Sequence, residues 1–233
     1  MLLRPRPVGA SRWAFPDLLA NPEFGELVGW GADLEPETLI TAYRGGTFPW
    51  PHGRRLPWFS PEVRAVLRTG SAHRSRSLRQ LMARCGWSTT VDSAFAEVMA
   101  GCAQRREGTW ITSAMQAAYG RLHELGWAHS LEVWGDDQLI GGLYGLSIGA
   151  TFCAESMFHA TSGASKVAVF DVLERWTRAG GLTIDGQLPT THLSSLGFVA
   201  ITREQFLHDL RAHADQHIAM STARLPVSRL ARS

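Results

Sequence analysis

The sequence predicts an α+β fold, and three observations carry that prediction. Apolar residues recur at helical spacing over 35–44, 94–103 and 114–125, and from residue 130 the spacing becomes that of strands. The stretch 141–158, GGLYGLSIGATFCAESMF, is apolar but cut by Gly141, Gly142, Gly145 and Gly149, which fits adjacent buried strands that another group approaches closely. Helical period then returns over 166–178, and a further strand is expected over 182–188.

Composition narrows the class. With 233 residues, 45% of them hydrophobic, the chain can bury a core as one domain or two small ones. A net charge of +2 is too small to identify an anionic partner without local clustering. Cys85, Cys102 and Cys153 are odd in number and far apart, which supports neither a disulfide framework nor a metal-ligand spacing, and a cytoplasmic setting is expected. The N-terminal MLLRPRP lacks a secretory apolar run, and no stretch suits a bilayer span, so no membrane partner is expected.

Residues 1–30 read as an irregular arm with scattered aromatics, Trp13, Phe15, Phe24 and Trp30. Asp33 then suits the start of the helix over 35–44, where Leu34, Thr38, Leu39 and Tyr43 share a face, and Gly45-Gly46 ends it. The loop that follows holds Trp50, Trp58, Phe59 and four prolines, and Val63 to Leu67 alternates as a strand. Trp50 and Trp58 beside Arg54 and Arg55 combine flat rings with cations, as single-stranded RNA ends require; packing within the loop is the equal alternative. Arg74, Arg76, Arg79 and Arg84 lie on or before a helix that turns Leu78, Leu81 and Met82 inward. They form either a solvated basic face or a track for a phosphate backbone.

Thr89 to Val91 reads as a short strand, and Asp92 or Ser93 can begin the helix over 94–103. Trp110 precedes the helix over 114–125, started by Thr112 or Ser113 and stopped by Gly126. That ring either staples the helix or, with Arg105 and Arg106 nearby, stands at the mouth of a cleft. Ser130 to Trp134, the turn Gly135-Asp136-Asp137 and the strand from Gln138 make a hairpin. In the expected strand over 182–188, Asp185 and Gln187 are two apart and share a face; with Glu155 they build a polar pocket with general-base potential. A carboxylate satisfied by a neighbouring helix start is the bland alternative.

The bridge HATSGAS, before the helix over 166–178, suits an anion at the helix start. Meander, turn and helix together resemble the N-acetyltransferase (GNAT-like) architecture, although Ala160 and Ser165 replace key residues of that family's coenzyme A turn. His208, His213 and His217 do not share one helix face, so no metal is expected. From Ser221 the tail reads as a loose basic extension.

A more specific resemblance comes from motifs that keep one order over residues 30–206: GTFPW, WFSPEVRAVL, GTWIT, AYGRLHELGWAHSLEVW, GGLYG, FCAESMF, ASK and IDGQ followed by HLSSLG. Together they resemble the leucyl/phenylalanyl-tRNA–protein transferases. The resemblance implies a small N-terminal domain over 1–62 joined to a GNAT-like catalytic domain over 63–233. It implies transfer of leucine or phenylalanine from aminoacyl-tRNA to proteins with N-terminal arginine or lysine, which marks them for degradation, by a cytoplasmic monomer without cofactor or metal. By position, Trp50 and Trp110 match the rings that hold the tRNA's terminal adenosine. Asp185 and Gln187 match a pair that assists proton removal, and Glu155 holds the cationic acceptor. Phe152, Trp176 and Leu143 fall at the aminoacyl side-chain pocket, and Arg74, Arg76, Arg79 and Arg84 at the tRNA backbone. The sequence departs from the family at Pro51-His52-Gly53 and at Trp176, where phenylalanine is familiar, so a leucine or phenylalanine preference does not carry over. Two other readings stay open at this level: an acyl-coenzyme A N-acyltransferase and an RNA-binding module without catalysis.

Overall fold

The computed structural model describes residues 1–2, 4–51, 55–68, 71–104 and 109–232. The expected cations Arg54, Arg105 and Arg106, and the loop path at His52-Gly53, lie outside the described residues. In order the elements are β1 (Leu27–Trp30), α1 (Pro36–Arg44), β2 (Phe48–Pro49), β3 (Pro57–Phe59), β4 (Val63–Leu67), α2 (Arg76–Arg84) and β5 (Ser88–Val91). There follow α3 (Phe95–Ala103), α4 (Ser113–Glu124), β6 (Ala128–Gly135), β7 (Gln138–Ile148), β8 (Thr151–His159) and α5 (Ala164–Arg178). The chain closes with β9 (Thr183–Asp185), α6 (Thr191–Ser195), β10 (Val199–Thr202), α7 (Arg203–Ala212), β11 (Leu225–Pro226) and a 3₁₀ turn over Val227–Ala231.

These strands make two sheets. One is small, ordered β1-β3-β2; the other has eight strands, ordered β10-β4-β9-β8-β7-β6-β5-β11. The β6-β7-β8 meander is antiparallel, and after α5 the chain returns as β9 parallel to β8, the order expected for the GNAT-like architecture. Helices cover both faces. Leu131, Val133 and Leu143 face a core shared with α5 and α2, while Tyr144, Leu146 and Ile148 face one shared with α1, α3 and α4. Burial on both faces explains why this run is largely apolar instead of alternating strictly with polar residues.

Thr112 caps α4 as expected, by accepting from Met115 N, and Ser75, which the sequence reading did not single out, caps α2 by accepting from Leu78 N. Asp136 and Asp137 both take positive φ, the primed turn that matches strand twist. Asp33 acts just ahead of α1: its carboxylate accepts from Glu35 N, and Glu35 is the N-cap. Gly141 is needed because a Cβ there would collide with Ala164 at the start of α5.

The C-terminal tail differs from expectation. β11 pairs with β5, and Val227 and Leu230 are fully buried beside Leu78 and Met82 of α2. Val227 and Leu230 of LPVSRL turn inward, and burial of those two side chains docks the segment as an edge strand and turn. The strand expected over 182–188 also stops early, at Asp185.

Candidate active site

The parallel pairing of β8 and β9 extends only from Thr151–Thr183 to Cys153–Asp185. β9 then ends, β8 continues to His159, and a cavity of about 310 Å³ opens in the gap. Trp50, from the end of the small sheet, and Trp110, from the approach to α4, both line this cavity. So do Leu143, Glu155 and Gln187, with Ile184, Val169 and Phe198 forming apolar wall. Trp50 meets Phe59 edge-to-face at 5.7 Å.

Glu155 reaches the cavity through a break in the ladder. Gly145 pairs with Ala154 and Tyr144 with Ser156, so Glu155 is an extra residue bulged out of β8. Gly145 allows this, because a Cβ there would drive into the Cys153 carbonyl and the Phe152 ring. Gln187 Nε2 donates to Glu155 Oε1 at 3.2 Å, and the Tyr119 hydroxyl donates to Oε2 at 3.3 Å. Behind it, the hydroxyls of the buried Tyr43 and Tyr119 share a 2.5 Å hydrogen bond. Burial, aided by the neighbouring Asp185 charge, outweighs the tyrosine hydrogen bonds and pushes the Glu155 carboxyl up to about 8. Burial likewise drives both tyrosines well above their usual range, so they remain neutral donors.

Asp185 is placed differently from Glu155. It is fully buried, and Arg64 grips it in a fork, Nε to Oδ1 at 2.9 Å and Nη2 to Oδ2 at 2.6 Å. The same guanidinium donates to the Gly46 carbonyl and lies between the rings of Phe48 and Phe206, 5.2 and 4.3 Å from their centres. Asp185 Oδ1 also accepts from the Gln187 backbone N–H at 2.9 Å. Gln187 has φ +56, so a left-handed turn brings it into the site, in place of the strand alternation expected from the spacing. Cys153, opposite Asp185 in the ladder, is buried and its thiol is pushed well up by burial, which removes it as a thiolate nucleophile.

Several expected residues lie apart from the cavity. Phe152 and Trp176 are each about 1% exposed and pack edge-to-face at 5.5 Å in the core; neither lines the cavity. Trp176 Nε1 is spent on the Ala150 carbonyl. Trp58 is also structural, buried against Phe15 and donating to the Gly31 carbonyl. Arg76, Arg79 and Arg84 line a separate cleft on α2, joined by Arg232 of the docked tail, and Arg74 lies over the Phe170 ring.

Sequence reasoning missed Arg64, Tyr119 and His192. Arg64 had a signal: a cation inside the short buried strand VRAVL needs a partner. Tyr119 had none, since a tyrosine on an apolar helix face reads as core. His192 lines the cavity, and burial together with Lys166 lowers its proton affinity. Taken together, the site offers aromatic surface at two corners, an apolar wall, and a carboxyl with an amide on its floor. Such a set is chemically able to position a flat group and an apolar side chain and to accept a proton.

Comparisons with known proteins agree along the length of the chain. The model of the leucyl/phenylalanyl-tRNA protein transferase family matches residues 66–211, and that of its N-terminal domain matches 32–62. A leucyl/phenylalanyl-tRNA–protein transferase of Stutzerimonas stutzeri (strain A1501) is 49% identical over 208 residues, 87% of this chain and 92% of that protein. One of Shewanella baltica (strain OS185) is 48% identical over 200 residues, 84% of each chain. Among solved structures, FemX aligns over 75% of this chain and 70% of its own, with 13% identity and a TM-score of 0.47. The chain belongs to the leucyl/phenylalanyl-tRNA protein transferase family.

Proposed function

We propose that this protein transfers leucine or phenylalanine from aminoacyl-tRNA to the α-amine of proteins beginning with arginine or lysine, as a monomer in the cytoplasm. The observation that carries the reading is one cavity lined by Trp50, Trp110, Leu143, Glu155 and Gln187. Trp50 and Trp110 stack the terminal adenosine, and the apolar wall around Leu143 takes the aminoacyl side chain. Residues 1–62 form the small N-terminal domain that supplies Trp50, and 63–233 form the catalytic domain.

An aminoacyl ester is already activated, so the chain has to align it, hold the acceptor and remove a proton. The amine nitrogen attacks the ester carbonyl, the C–N bond forms, and the bond to the ribose oxygen breaks. Glu155, the carboxyl that faces the cavity, takes the amine's proton as the C–N bond forms and returns it to the ribose oxygen, which leaves as a hydroxyl. Gln187 orients Glu155 through its side-chain amide. Asp185 acts as a positioning residue: its oxygens are engaged by Arg64 and by the Gln187 main chain, which it fixes. Arg76, Arg79 and Arg84 supply cations for the RNA backbone.

The test is incubation with leucyl-tRNA and a peptide beginning with arginine, followed by mass measurement, with acetyl-coenzyme A as a parallel donor. A leucine-sized gain from the tRNA donor alone is expected. Acetyl transfer, or RNA binding with no transfer, refutes the proposal.

A further inference from the structure

The small sheet presents a second ring beside the cavity. In its register Trp30 of β1 lies opposite Pro57 of β3, and on the other side of β3 the Trp50 N–H donates to the Pro57 carbonyl at 3.0 Å. The pairs Phe48–Phe59 and Pro49–Trp58 lead directly to Trp50 opposite Pro57. Residues opposite one another in antiparallel strands project from the same face. Trp30, Pro57 and Trp50 therefore form one row, and the two tryptophan backbones are about 10 Å apart, two strand spacings.

The two ends of the row have different environments. Trp50 lines the cavity, whereas Trp30 is 52% exposed and carries the Arg55 guanidinium 5.8 Å from its ring centre. Core packing does not account for Trp30, in contrast to Trp58 of the same sheet, which is 2% exposed. An open indole with a cation over it suits a base on the ring and a phosphate on the guanidinium. The same cation repels an acceptor that begins with arginine or lysine, so the row favours the RNA over the polypeptide.

We propose that Trp30 and Arg55 form a second base-stacking position for the 3′ end of the RNA, next to the terminal-nucleoside position at Trp50 and Trp110. This inference rests on the transfer reading above. The position takes a nucleotide upstream of the terminal one, so it contributes only when the donor carries more than one nucleotide.

The experiment compares two donors: leucine esterified to adenosine, and leucine esterified to the 3′ end of the trinucleotide CpCpA. The intact protein is expected to show a lower KM for the trinucleotide donor. Trp30→Ala raises that KM about 5- to 150-fold, the size of one aromatic–base stack, and leaves kcat and the adenosine donor unchanged. Trp30→Phe restores part of the difference, and Arg55→Glu raises the same KM alone. Equal KM values for the two donors with the intact protein overturn the inference, as does a Trp30→Ala effect that is absent or equal on both donors. If neither donor supports transfer, the failure lies with the transfer reading itself.

Discussion

Replacing Asp185 with alanine separates a chemical role from a positioning one. The carboxylate is fully buried, and its removal leaves Arg64, 1% exposed, as a cation against Phe48 and Phe206 with, among the described residues, only the Gly46 carbonyl as hydrogen-bond acceptor. Breaking a buried pair in this way costs about 3–5 kcal/mol, because the surviving charge stays desolvated. Against a usual stability of about 5–15 kcal/mol, that is a large share. Urea unfolding of Asp185→Ala is therefore expected to shift by about 3–5 kcal/mol, and transfer is expected to fall. The double variant Arg64→Met with Asp185→Leu fills the same space without charge and recovers most of the stability. It does not recover transfer, because the Gln187 backbone loses its acceptor. A single variant that unfolds within about 1 kcal/mol of the parent yet transfers nothing would refute this reasoning and return Asp185 to the chemistry.

Glu155 governs the pH dependence. Its carboxyl is raised from 4.5 to about 8 in the fold, so the folded chain holds a proton that the unfolded chain releases. Its stabilising contribution is full below about 4.5 and is lost as pH rises through about 8. Glu155→Gln should flatten that limb in a melting series over pH, and should abolish a rise in transfer rate through about pH 8; an unchanged profile refutes the assignment. Leu230→Ala, in the docked tail, is expected to cost about 2–5 kcal/mol in urea unfolding, whereas a loose tail would give no change. Trp110→Ala should raise the KM for leucyl-tRNA about 5- to 150-fold with unfolding little changed, and a loss confined to stability would mark the ring as a helix staple.

Much of the fold was legible because its elements carry local signals. The cap at Thr112, the Asp136-Asp137 turn and the glycines of the β7–β8 run each state a backbone requirement that the sequence shows directly. The tail was misread because docking depends on a partner far along the chain, the β5 edge and the α2 face, which no local pattern reveals. Gln187 illustrates the same limit within the site: a spacing of two fits a strand, but β9 ends at Asp185, where the Arg64 fork holds the strand end. Trp176 and Phe152 show the converse. Apolar bulk near a site in sequence is more often the wall behind it than its lining, and here Phe152 of β8 and Trp176 of α5 pack on each other in the core.

The two carboxyls meet opposite environments only a few residues of ladder apart, and the roles proposed for them rest on that difference. Asp185 has a cation in fixed bidentate contact, so its charge is balanced before any substrate arrives. Glu155 is held instead by neutral donors, the Gln187 amide and the Tyr119 hydroxyl, which orient it without neutralising it. Burial raises its proton affinity from the usual 4.5 to about 8, toward the range of an amine. In the proposed reaction that direction of shift favours Glu155 over Asp185 as the group that takes the amine's proton. The bulge that displaces Glu155 from the ladder is what makes this possible, because regular alternation would have set residue 155 by the period of β8 rather than by the cavity.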